Sequence, residues 1–202
     1  LVVGDVSGHG VAAALLMATA RSLVRSRAAR PGNPGEILGD VNRLLAADVE
    51  RSGSFMTAFY LRLDLGNRRL AWSRAGHDAA LLYEPRGRTF TELSGPGRAL
   101  GVDPEGRWVT RSRELPGGPA LILIGTDGIW ETRNPRGELF GRQRLHDLVA
   151  RHAEAPAADL VAALTAALEG FRQGTEPEDD VTLMVARLTG PDPPAASVVS
   201  RK

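Results

Sequence analysis

The apolar positions of this chain change period several times, and each change marks an element. Leu1 to Asp5 opens as an apolar run with β-branched Val2 and Val3 and ends in an acid, the pattern of a buried strand. Ser7-Gly8-His9-Gly10 reads as a turn. Beyond it Ala13, Leu16, Met17, Ala20, Leu23 and Val24 recur at helical spacing with Arg21, Arg25 and Arg27 between them, and Pro31-Gly32-Asn33-Pro34-Gly35 stops that helix. A second helix is predicted to carry Ile37, Val41, Leu44 and Leu45 on one face. The pattern then shortens. Phe55 to Leu65 alternates in part, and Gly66-Asn67 turns the chain into a strand over Leu70 to Ala75. Further strands are predicted over Ala79 to Tyr83, Trp108 to Leu115, Ala120 to Thr126 and Val181 to Leu188, with a turn over Glu84 to Arg88. Helices near Arg142 to His152 and Ala157 to Phe171 stand between the last two strands.

Strands near the start, middle and end, with helices grouped in pairs, imply an α+β fold with a largely antiparallel sheet. Strict βαβ alternation is absent, which argues against a doubly wound parallel fold. The 202 residues, 43% hydrophobic and 24% charged, suit one soluble domain with a sizeable core. The domain is expected over residues 1–189, and the Pro-, Ala- and Ser-rich residues 190–202 are expected to be a disordered tail. No apolar run approaches the roughly 20 residues that cross a bilayer, and no signal peptide is visible. The chain opens at Leu1 inside a strand pattern and without Met, as a piece of a longer polypeptide would. There is no Cys, which excludes disulfides, thiolate nucleophiles and Cys-ligated zinc in this segment and fits a cytoplasmic location. The net charge is +1 and the Arg residues are scattered, so nucleic acid is not an expected partner.

Three acidic sites stand at strand ends. Asp5 ends the first predicted strand, Asp127 follows the most apolar one and precedes Gly128, and Asp179 and Asp180 sit before the last. A carboxylate at the mouth of a buried strand is costly unless it is paired, hydrogen-bonded or on a metal. Each acid alone reads equally well as a cap or turn former. As a set they read as carboxylates that converge on hard divalent cations, for which oxygen-only ligands are suited. Two such ions about 3.5–4 Å apart lower the pKa of a water and hold phosphoryl oxygens for in-line attack on a phosphate ester. The absence of Cys and of an obvious nucleophile–base pair agrees with that route.

Several short motifs now appear together. Gly4-Asp5-Val6-Ser7-Gly8-His9-Gly10 with Ala12-Ala13-Ala14 and Met17 resembles the GDVSGHG-x-x-AA-x-x-M signature of the SpoIIE-like branch of the PP2C family of metal-dependent serine/threonine protein phosphatases. Ala75-Gly76-His77 resembles that family's AGH motif, with Asp78 where Asn or Pro is usual, and Ala99-Leu100-Gly101 resembles its P-L-G. Thr126-Asp127-Gly128-Ile129-Trp130-Glu131, Asn134 and Gly137-Glu138-Leu139-Phe140-Gly141 match TDG-x-x-E…N-x-x-G-E-x-F-G, and Glu178-Asp179-Asp180-Val181-Thr182-Leu183 matches the closing DD-x-T-L.

The resemblance implies an αββα sandwich of two mainly antiparallel sheets flanked by helices. It implies an Mn²⁺- or Mg²⁺-dependent enzyme holding two ions and acting on phosphoserine or phosphothreonine. Asp5 would bridge the ions, the Val6 carbonyl would bind one, and Asp127 and Asp179 would add carboxylates, the three acids acting through a metal-activated water. Asp180 aligns with an Asn in the wider family and ranks behind Asp179. The implied substrate is a phosphorylated anti-sigma-factor antagonist of the STAS type. The first two helices are expected to answer to an upstream sensory domain, and a homodimer is compatible with this picture. Members carry a G-D-x-x-D element upstream of GDVSGHG, and the chain begins after that point, so one metal-binding acid and one or two strands are expected to be missing. The alternative function is therefore a catalytically weak pseudophosphatase or regulatory binding module.

Other residues read mostly as structural. His9 either faces the phosphate or metal-bound water or, the preferred reading, shapes the turn before the helix, and His77 either sits near the site or, again preferred, bonds within a turn between strands. His146 and His152 are expected at the surface. Thr126 either orients Asp127 by a hydrogen bond or is a plain strand-end residue. Trp130 and Phe140 are read as packing, Arg133 and Arg136 as solvated loop residues, and Glu131 as structural.

Overall fold

The computed structural model describes residues 1–177, 179–189 and 198–201. In chain order the elements are β1 (Val2–Val6), α1 (Gly10–Ala28), α2 (Pro34–Val49), β2 (Met56–Asp64), β3 (Arg69–Ala75), β4 (Ala80–Glu84), β5 (Thr89–Leu93), β6 (Arg111–Glu114), β7 (Ala120–Gly125), a 3₁₀ turn (Asp127–Ile129), α3 (Gly141–Arg151), α4 (Ala157–Arg172), β8 (Leu183–Leu188) and β9 (Val198–Arg201). They form two compact units, residues 1–79 with 94–115, and residues 80–93 with 116 onward. The first holds a four-stranded sheet in the order β1-β2-β3-β6 and the second a five-stranded sheet in the order β5-β4-β7-β8-β9. Among the described residues every pairing between these strands is antiparallel. With two helices in each unit this is the α+β class read from the sequence. Among the described residues no helix is long and apolar enough to cross a membrane.

In the first unit, alternation along β1 and β2 sends Val2, Val6, Met56, Ala58 and Tyr60 into a core with Ala20 and Val24 of α1 and Ile37, Leu38, Val41 and Leu45 of α2. Ile37, Val41 and Leu45 follow at steps of four and share one face of α2, whereas Leu44 lies off that face and is 57% exposed, contrary to its expected place in the stripe. Helix α2 begins in a capping box. Asn33 Oδ1 accepts from Glu36 N at 3.0 Å, Glu36 Oε2 accepts from Asn33 N at 3.0 Å, and Pro34 opens the first turn. Gly35 rests on the backbone of Trp108, where a Cβ would come within 2.2 Å of the Trp108 carbonyl, and its N–H donates to Thr110 Oγ1 at 2.8 Å. This contact uses the stretch before β6, so the strand expected over Trp108 to Leu115 is shortened to Arg111–Glu114.

The Ala99-Leu100-Gly101 motif serves this unit. Leu100 is buried and exchanges both backbone hydrogen bonds with Met56, at 2.9 and 2.7 Å. Gly101 has φ +90 and donates to Oδ1 of Asn42, whose Nδ2 donates to Asp103 O, both at 2.8 Å. Asn42 is fully buried on α2, so its amide joins helix to loop without water.

In the second unit, Leu81, Tyr83, Leu121, Leu123, Leu183 and Val185 pack with Leu145 and Val149 of α3 and Leu160, Val161, Leu164 and Leu168 of α4. The apolar pattern does not predict strand β5. Its sequence, Thr-Phe-Thr-Glu-Leu, is half polar and lies at the sheet edge, where alternation is weak. His146, expected at the surface, is only partly exposed. It stacks on Phe90 at 4.2 Å, and its Nε2 is buried with no hydrogen-bond partner among the described residues. Trp130 and Phe140 pack as expected; Phe140 meets Phe171 edge-on at 5.4 Å and Arg142 lies over Trp130. Of the residues expected to be a disordered tail, Val198–Arg201 instead pair with β8, and 190–197 and 202 lie outside the described residues.

Asn42→Leu strands the Gly101 N–H and leaves the Asp103 carbonyl with only the Gly106 N–H as donor; it is expected to cost about 1–3 kcal/mol of stability by denaturant unfolding, and a loss below about 0.5 kcal/mol would contradict the role assigned to the amide. Asp40 on α2 pairs with Arg27 of α1 and with Arg43. The Arg27 hydrogen bond, with the charges of Arg27 and Arg43, holds the Asp40 carboxyl below its ordinary range. A lowered folded pKa stabilises above the unfolded value, about 3.9, and the contribution is lost as pH falls through the folded one. Asp40→Asn is thus expected to cost up to about 1 kcal/mol at pH 7, the limit for so exposed a pair. In urea unfolding that difference should shrink below about pH 4.

Candidate metal centre and adjoining cleft

The acids divide between the units. Asp127 and the pair Asp179-Asp180 belong to the second unit, and there the fold makes them neighbours. Strand β7 delivers Thr126, 4% exposed, and Asp127 then opens the 3₁₀ turn. The Thr126 N–H donates to Thr182 O at 3.1 Å. Its hydroxyl donates to Asp180 O at 3.0 Å and accepts from Thr182 N at 3.0 Å. One side chain thus uses both its donor and an acceptor position to clasp the segment leading into β8. Gly128 presses on the same segment, since a Cβ there would stand 2.6 Å from the Asp180 carbonyl. Thr126 therefore acts on the backbone beside Asp180, and this is the interaction that strand-end position alone does not reveal.

Asp127 is half-buried, while Asp179 and Asp180 are exposed. Asp179 Oδ1 accepts from the Asp180 N–H at 2.7 Å, a turn contact that leaves the second oxygen of that carboxylate uncommitted by it. Glu178 of the motif lies outside the described residues. Asp179 borders a cleft of about 290 Å³ whose lining includes Glu131, Thr132, Arg133, Asn134 and Arg172. One wall is the loop after the 3₁₀ turn. Asn134, buried, accepts on Oδ1 from Arg136 N and Glu138 N, each at 3.0 Å, and donates to Glu138 Oε2 at 2.7 Å. Phe140 N to Thr132 O at 2.8 Å and Gly141 N to Trp130 O at 2.9 Å close the loop at its base. The Asn and Glu of this motif therefore brace a cleft wall. Arg133 donates to Gly137 O at 3.1 Å and Arg136 lies 3.4 Å from Glu138, so both take part in the loop's own bonding.

In the first unit Asp5 lies on β1 directly across from Thr57 of β2, and Val6 across from Met56. Val6 faces the helices, so Asp5 is on the opposite face of the sheet. Beyond β1 the turn is held by Ser7, whose N–H donates to Phe55 O and whose Oγ accepts from Phe55 N, both at 2.9 Å. His9 sits at the N-cap of α1 without a side-chain capping bond, between Gly8 and Gly10 at φ +84 and +82, as a turn-shaping residue would. His77 is buried, with Nδ1 hydrogen-bonded to Thr57 Oγ1 at 2.9 Å.

An all-oxygen donor set on adjoining turns has the chemistry that hard divalent cations take. Among the described residues no group of three or more His, Asp or Glu side chains is drawn together closely enough to hold a metal ion. The donor types fit such an ion, and the second unit supplies a pair of acid-bearing turns.

The family model for stage II sporulation protein E (SpoIIE) matches residues 1–189. Phosphoserine phosphatase RsbU of Bacillus subtilis is 28% identical over 187 residues, covering 93% of this chain and 55% of that protein. Phosphoserine phosphatase RsbP of the same organism is 25% identical over 184 residues, covering 89% of this chain and 43% of that protein. The chain thus spans about half the length of these relatives. Among solved structures, the SiaA-PP2C domain of Pseudomonas aeruginosa superposes with a TM-score of 0.81 at 26% identity, covering 93% of this chain and 74% of that one. A match over residues 1–189, together with a PP2C neighbour built on the same fold, establishes that this chain belongs to the SpoIIE family of PP2C-type phosphatases.

Proposed function

We propose that residues 1–189 form a phosphatase domain that hydrolyses phosphoserine or phosphothreonine on a protein. The observation that carries this reading is the Thr126 clasp, which fixes the Asp127 turn against the Asp179-Asp180 turn. Two related proteins that match most of this chain are phosphoserine phosphatases. On this reading Asp5, Asp127, Asp179, Asp180 and the Val6 carbonyl would hold two Mn²⁺ or Mg²⁺ ions, which when bound supply charge neutralisation at phosphoryl oxygens and an acidified water. The chain's own part is to hold its carboxylates where charge must be balanced. Thr126 and Gly128 keep the second unit's acids in register, and the braced loop over residues 130–141 keeps one wall of the adjoining cleft in place. That cleft receives the polypeptide flanking the phosphorylated side chain, with Arg172 as a cationic contact on its lining. The substrate we assign is an anti-sigma-factor antagonist of the STAS type, with an upstream sensory domain acting on α1 and α2 and the protein working in the cytoplasm.

A second reading is a regulatory module that binds a phosphoprotein without turnover. It is favoured by the lack, among the described residues, of a ready group of three metal-ligating side chains. Calorimetry with Mn²⁺ on the full-length protein separates the two, since a module without turnover needs no cation.

In the full-length protein, Asp127→Asn and chelation are each expected to abolish hydrolysis of a phosphopeptide or of p-nitrophenyl phosphate. Undiminished turnover under both would refute a metal-dependent phosphatase mechanism. Thr126→Val leaves the Asp180 carbonyl and Thr182 N–H unpaired; it is expected to cost about 2 kcal/mol of stability and to weaken Mn²⁺ binding about tenfold. Thr126→Ser should recover both, as read by thermal unfolding and calorimetry.

A further inference from the structure

The Ala75-Gly76-His77 motif supplies none of the proposed metal-binding groups, yet the fold constrains it tightly. Gly76 at φ +70 forms a parallel bridge with Ala58 of β2 and donates to Gly97 O at 2.9 Å. A Cβ on Gly76 would meet Ala99 N at 2.9 Å, and one on Gly97 would meet Arg74 O at 1.9 Å. Arg74 ties the loop down by donating from Nε to His77 O and from a terminal nitrogen to Gly95 O, the latter at 3.2 Å. These restraints deliver one imidazole, 4% exposed, onto the hydroxyl of Thr57. Burying an imidazole has a free-energy cost, and this loop bears it at one defined place.

Thr57 is the cross-strand partner of Asp5. Residues directly opposite on an antiparallel pair share a face, with Cβ atoms about 5 Å apart. Asp5, Thr57 and His77 therefore form a line on the face of the sheet turned away from α1 and α2. A threonine hydroxyl offers one donor and two acceptor positions, and the Nδ1 contact occupies only one of these.

We propose that His77 is a positioning residue for Asp5. It fixes the side chain of Thr57 through the Nδ1–Oγ1 hydrogen bond, and the fixed hydroxyl then orients the Asp5 carboxylate. This rests on the reading of Asp5 as a metal ligand. Groups behind a ligand typically change metal affinity by tenfold or more when removed.

The test is Mn²⁺ calorimetry on the full-length protein, with the thermal unfolding of the metal-free form as control. Thr57→Val replaces the hydroxyl by a methyl group at nearly constant shape, and His77→Ala removes the ring. Each is expected to weaken Mn²⁺ binding about tenfold, with the double variant no weaker than His77→Ala alone, because both act on one path. Thr57→Ser should bind within about twofold of the parent. A purely structural role would instead lower the unfolding temperature and leave the affinity of the folded protein unchanged. If His77→Ala does not fold, Thr57→Val and Thr57→Ser decide the matter alone. Parental affinity in Thr57→Val, in a protein whose Mn²⁺ binding is lost in Asp5→Asn, overturns this inference and leaves the metal reading standing. No Mn²⁺ binding by the parent, or binding untouched in Asp5→Asn, overturns both.

Discussion

The Thr126 hydroxyl is the point on which the arrangement of the second unit's acid-bearing turns depends. Residues 54 positions apart in the chain become neighbours through it, because the hydroxyl donates to Asp180 O and accepts from Thr182 N. Antiparallel pairing of β7 with β8 brings the strand ends together but ends at Gly125 and Leu183. Past that point the ladder no longer fixes the backbone, and the acids lie past it. A buried side chain that bonds the opposing backbone extends the order of the sheet a few residues further. Gly128 adds a steric limit from the same side, since nothing larger fits against the Asp180 carbonyl.

A similar device operates in the first unit with other residues. Asp5 lies within β1, so the ladder to β2 holds its backbone directly. What surrounds it is a set of loops that grip the start of β2: Leu100 pairs with Met56, Gly76 bridges Ala58, and His77 reaches Thr57. Three consecutive residues, 56, 57 and 58, are thus each held by a different motif residue. The glycines of these segments permit the close approaches, and the polar atoms satisfy one another where water is excluded.

Much of this is legible in the sequence because burial imposes a period. Ala120 to Gly125 reads as a central strand and is buried on both faces but for its last residue, and α2 shows its core stripe at Ile37, Val41 and Leu45. Leu44 misleads because a stripe read by eye is wider than the face that meets the sheet. Strand β5 escapes because an edge strand half open to solvent need not alternate cleanly, and the stretch from Trp108 is shortened because Gly35 of α2 takes its place against that backbone. The acids are legible as costly groups at strand mouths. The residues that support them are not. Asn134 and Glu138 look like ordinary loop polar residues until the backbone donors they serve are known, and His146 looks like a surface residue until Phe90 lies under it. Each depends on a partner that local pattern does not specify.

The near-contacts at Gly76 and Gly97 also bear on how this sequence can drift. At both positions the missing side chain is a steric requirement, independent of whether any phosphate is ever cleaved. A descendant that had lost its chemistry but still needed a folded first unit would keep these glycines while its acids were free to vary. Retention of glycine at positions 76 and 97 therefore diagnoses an intact scaffold and is by itself no measure of activity.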